Sequence, residues 1–89
     1  MLSSDEVLMR VRAAGANDRF RVTALINEQL RDRGLTVGDV RSALSGARVS
    51  IDRGDGTFRV GGTDLDGAAL SLIVTLEEDS IEVISEAGR

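Results

Sequence analysis

Histidine, cysteine, lysine, proline, tyrosine and tryptophan are all missing from the 89 residues of this chain. Without histidine, no side chain titrates near neutral pH in its unperturbed state, and the commonest metal ligand is gone too. Without cysteine there can be no disulfide, thiolate nucleophile or thiolate metal site. Ser-His-Asp, Cys-His and zinc-hydrolase mechanisms are therefore excluded. All eleven basic residues are arginine, which also closes Schiff-base and lysine-nucleophile routes. Phe20 and Phe58 are the only aromatic residues, few for a face that stacks bases. No cofactor and no metal is expected. "DLDG" (64–67) lacks the further oxygen ligands of a calcium loop, and "EED" (77–79) reads as a solvated hairpin tip.

Net charge is −4 and unevenly placed. Residues 1–60 carry ten arginines against eight acids, whereas residues 61–89 carry one arginine against seven. An acidic chain does not draw phosphate backbones from a distance, so DNA is not an expected partner. The opening "MLSSDEVLMRV" has no basic region leading into an apolar run, and "AALSLIVTL" is too short to span a bilayer. The expected address is cytoplasmic, with no membrane partner.

What is present organises residues 1–89 into a single α+β domain. Ser3-x-x-Glu6 fits a capping box for a first helix over Ser4 to Ala14, with Gly15 ending it. "RFRVT" (19–23) reads as a short strand. A second helix, about Ala24 to Arg33, meets Gly34 as a left-handed cap, and Thr36 opens a third helix that closes at Gly46. Arg33 and Gly34 are read as structural: the arginine lays its stem on apolar surface and points its head to a carboxylate or carbonyl.

From Arg48 onward the apolar period changes from 3.6 to 2, predicting four strands in a meander. The expected fold has N-terminal helices packed on one face of a mostly antiparallel sheet of four or five strands. Taken literally, the alternation turns Val49, Ile51, Phe58 and Val60 toward the helices. It leaves Arg48, Ser50, Asp52, Thr57, Arg59, Ser71, Ile73, Thr75, Glu82, Ile84 and Glu86 on the open face. Arg48 and Arg59 could then hold a phosphate together, or each could pair with an acid such as Asp52 or Glu82. Ile73 and Ile84 read either as a cross-strand pair that steadies a hairpin or as part of a homodimer or partner interface.

With these elements placed, "LRDRGLTVGDVRSAL" and then "FRVGGTDLDGAALSLIVTLEEDSIEVIS" resemble a small bacterial domain family of unknown function. That family is related to MqsR-like and RelE-like toxins of type II toxin–antitoxin systems. The shared pattern covers residues 19–87. It is a helix ending in Arg-Gly-Ile/Leu, a short V-x-x-A-L helix, and an R-x-x-G-x-D-x-x-G-x-x-L-x-V meander. The resemblance implies a metal-independent endoribonuclease that cuts messenger RNA on an open sheet face and is held by a cognate antitoxin. Arg33-Gly34 and Arg59 fall on the family's positions. In that reading Arg48 and Arg59 bind the scissile phosphate and Asp52 is the base, because arginine keeps its proton. The chain departs from the pattern in lacking the histidine of the helix before Arg-Gly, and the lysine and tyrosine that such toxins place around the sheet. A second expectation follows from those departures: a non-catalytic relative that serves as a protein-interaction or dimerisation module.

Overall fold

The computed structural model describes residues 2–88. Helix α1 (Ser4–Ala16) begins where Ser3 Oγ accepts from the Glu6 amide at 3.2 Å and Glu6 Oε1 accepts from the Ser3 amide at 3.3 Å. These reciprocal bonds satisfy two amides that a helix start leaves open. The helix does not stop at Gly15 as the sequence predicts; it runs on to Ala16 and is capped by Asn17. Gly15 has a different task. It is buried where α1 crosses α3 (Val37–Ser45), and a Cβ there would lie 2.5 Å from the Ser45 nitrogen and 2.8 Å from Leu44 Cβ. The missing side chain sets how closely the two helices approach.

Helix α2 (Ala24–Asp32) ends as "RDRGL" suggests. Gly34 adopts φ +74°, its amide donates to the Arg31 carbonyl at 3.0 Å, and the Leu35 amide donates to the Leu30 carbonyl at 2.8 Å. This pair of bonds is a Schellman termination, with Leu30 and Leu35 both buried at its apolar contact. Thr36 then opens α3 through a second capping box with Asp39. The Arg-Gly break lets two short helices bury their apolar stripes against one core.

The strands are β1 (Phe20–Val22), β2 (Val49–Asp52), β3 (Thr57–Thr63), β4 (Ala69–Leu76) and β5 (Ile81–Gly88). They form one sheet in the order β1-β5-β4-β3-β2. The last four strands are the predicted antiparallel meander, and β1 adds to its far edge, parallel to β5. The three helices cover one face. Leu70, Leu72 and Val74 of β4, Val60 of β3, and Ile81 and Val83 of β5 meet Val7, Val11, Ile26, Leu30, Val40 and Leu44 in the core. At Gly62 the backbone of α3 comes down onto β3, and a Cβ there would stand 2.3 Å from the Ala43 carbonyl oxygen. Among the described residues, no helix is long and apolar enough to cross a membrane.

Candidate functional site

The uncovered face of the sheet is where the sequence places every chemical candidate, and register decides which of them reach it. Partners in register share a face. Arg59 stands opposite Ile73, and both lie away from the helices, as expected. Ile73 is 6% exposed even on this side, flanked by Arg59 on β3 and Ser85 on β5.

Strand β2 departs from the expected phase. Ile51 pairs with Arg59 and Val49 with Gly61, so both aliphatic side chains lie on the open face, each 52% exposed. Ser50 and Asp52, opposite Val60 and Phe58, turn to the helical side. Ser50 confirms the phase, since its hydroxyl donates to the Ser4 carbonyl of α1 at 3.1 Å. The cause is one extra residue. Ala47 is fully buried in the core, and the Arg48 amide donates at 2.9 Å to the carbonyl of Gly61, the residue that Val49 already faces. Two residues against one is a β-bulge, which inverts the alternation that follows it.

The consequence for the proposed catalytic set is direct. Arg59 and Asp52 lie on opposite sides of the sheet, and Arg48 precedes the regular ladder of β2. Asp52 Oδ1 accepts from the Gly54 amide at 2.8 Å, a turn-closing contact. The structure does not bring Asp52 to Arg59.

Strand β5 carries a similar irregularity. Val83 faces Val74, but Ser85 faces Ile73, so Ile84 is the additional residue between them and is only half-buried. Ile73 and Ile84 are therefore not a cross-strand pair. The same shift carries Glu86 to Leu72 and hence to the helical side, not the open face. There Arg33 reaches it from the end of α2, with Nη1 at 2.8 Å from Oε2 and 3.1 Å from Oε1. The Glu86 side chain is 6% exposed and that of Arg33 56%. Arg33→Ala is expected to lower stability by about 2 kcal/mol, because it strands a buried carboxylate that water can partly recover. Urea melts would read this, and Glu86→Gln, which needs no counter-charge, should cost less.

One open-face group was not legible in the sequence. Arg21 of β1 lies beside Glu82 of β5, and its Nη2 meets Glu77 Oε1 at 2.6 Å and Glu82 Oε2 at 3.6 Å. The hydrogen bond to Glu77, then the two carboxylate charges, hold the Arg21 guanidinium even more firmly protonated than usual. Two carboxylates sharing one cation leave this border of the face net negative. Arg59 forms no ion pair among the described residues. It lies two strand spacings, about 10 Å, from the β5 edge of that group.

Two shallow clefts lie elsewhere. One of about 170 Å³ is lined by Arg10, Asn17, Arg19 and the Glu78–Ser80 turn, where Arg10 donates to the Glu77 carbonyl. The other, about 280 Å³, is lined by Phe20, Val22, Asn27 and Val37, with Arg41 Nε bonded to Asp18 Oδ1 at 2.6 Å at its rim. On the lining of the first, the Ser80 hydroxyl donates to Glu77 Oε1 at 3.2 Å. Comparison with family models, curated proteins and solved structures finds no match for this chain.

Proposed function

We propose that this chain is a binding domain whose working surface is the uncovered sheet face. One observation carries the reading. That face exposes Val49 and Ile51 on the edge strand β2, with Arg59 on β3 between them and buried Ile73 on β4, and carries the Arg21–Glu77–Glu82 group at its opposite border. Exposed aliphatic surface beside an unpaired arginine is a composition suited to partner binding. The groups suited to proton transfer are, by contrast, engaged. Asp52 closes a turn, Glu82 shares Arg21, and Glu86 is buried against Arg33.

The ribonuclease reading implied by the toxin resemblance is supported by a single feature. Arg59 is an arginine without an ion-pair partner among the described residues, on a face that also carries the Ser71 and Thr75 hydroxyls. Such a group can bind a phosphate, and in that reading an antitoxin would cover the face. One experiment separates the two. The purified chain and its Arg59→Ala variant are incubated with total cellular RNA, and both are expressed in growing cells. The binding-domain reading expects intact RNA and unimpaired growth for both. Cleavage and growth arrest by the parent chain, both relieved in Arg59→Ala, would overturn it.

A further inference from the structure

Resting on that reading of the open face, we propose that its occupant is a second copy of this chain, docked sheet to sheet about a two-fold axis running along β4. Three observations lead there. First, β4 is the middle strand of the five, so a two-fold along it lays β3 over the partner's β5 and β2 over its β1. Second, the two flanks of β4 are complementary in charge. Arg59 on β3 carries an unbalanced positive charge, while Glu82 on β5 and Glu77 share the single Arg21. Under this axis Arg59 arrives over Ser85 of the other copy. Glu82 lies one same-face step along that strand, about 7 Å away and within the combined span of the two side chains. The symmetry makes this contact twice, as an isologous interface requires. Third, the size fits a self-limiting contact. With strands about 4.8 Å apart and about 3.3 Å per residue, the face projects about 500 Å² per copy, hence about 1,000 Å² in all. That lies at the small end for specific interfaces, so the dimer is reversible and weakens with salt.

The test uses the intact chain. Sedimentation equilibrium at low salt is expected to show a dimer dissociating in the range of about 10–100 µM. Arg59→Glu alone and Glu82→Arg alone should each weaken association by at least about tenfold, because each sets like charges face to face. An equimolar mixture of the two variants should recover it, since each mixed pair then holds one native and one reversed contact. Circular dichroism confirms that both variants fold, and recovery in the mixture is itself beyond unfolded chains. A parent chain that stays monomeric throughout this range overturns the self-pairing. So does a mixture that associates no better than its components, or a dimer indifferent to both substitutions. The wider reading of the open face is judged separately by the RNA and growth experiment, so the two can fail independently.

Discussion

Gly62→Ala is expected to cost the fold about 3 kcal/mol, against a total stability of about 4–13 kcal/mol for a chain of this length. The added methyl would stand 2.3 Å from the Ala43 carbonyl oxygen and 3.0 Å from the Ala43 carbonyl carbon and Cα. These are helix backbone atoms and cannot swing aside as a side chain would. Nor can α3 retreat as a body, for its far side rests on Gly15 of α1 at similarly close range. In an unobstructed strand, alanine would be favoured over glycine by about 0.5–1 kcal/mol, so the clash must be read against a small opposing gain. Urea melts should show the midpoint falling by about 2–3 M, taking a slope near 1 kcal/mol per M. Gly61→Ala is the internal control. A methyl one residue earlier points to the open face and meets nothing nearer than Ser71 Oγ at 3.6 Å, so its effect should stay within about 0.5 kcal/mol. Equal losses at the two positions would contradict the assignment of faces on β3.

Asp39→Ala is the second large effect, about 2–3 kcal/mol. This carboxylate is buried, 7% exposed, and accepts three hydrogen bonds. They come from the Thr36 amide at 2.8 Å, the Thr36 hydroxyl at 3.1 Å, and the Leu65 amide of the β3–β4 connection at 3.0 Å. It therefore caps α3 and ties that helix to a loop twenty-six residues away in sequence. The Leu65 amide first, then the Thr36 amide, hold its carboxyl below the usual aspartate value of 3.8. A depressed folded-state value means the unfolded chain takes up the proton first. The contribution is thus complete above the ordinary aspartate range and is lost as pH falls through the folded-state value. The stability gap between parent and variant should stay constant from neutral pH down to about 5 and narrow below about pH 4. Urea midpoints at stepped pH would measure it. A gap that persists undiminished into strong acid would show that the loss comes from packing and not from the ionised carboxylate.

These two sites also mark where sequence reading succeeds and where it stops. The capping pair Ser3–Glu6, the Thr36 cap, the Arg33-Gly34 break and the four-strand meander follow from local chemistry, which spacing encodes. The second role of Asp39, holding Leu65, depends on a partner that only the folded chain supplies. Gly15 reads as a helix stop because glycine gives the same letter for a terminus and for a close approach. On β2, alternation gave the period but not the phase. A single extra residue at Arg48 reversed the sense of Val49, Ser50, Ile51 and Asp52, and so parted the proposed base from Arg59. On β5, the extra residue at Ile84 uncoupled it from Ile73 and sent Glu86 to Arg33. Bulges leave no mark in composition, since the inserted residue needs no special side chain. The border group of Arg21, Glu77 and Glu82 was hidden for another reason. It requires β1 to lie beside β5, a pairing between residues about sixty positions apart.

That pairing has a consequence for the order in which the molecule can be assembled. The strand next to β1 comes latest in sequence of the five, so a nascent chain that has grown only as far as residue 80 has no sheet position for Phe20–Val22. Until residues 81–88 emerge, the flank of β4 that will receive them presents unpaired backbone along Leu72–Leu76. Closure of the sheet is thus a late, long-range event. The interval before it is when a growing chain is most exposed to mispairing with its neighbours on the same message.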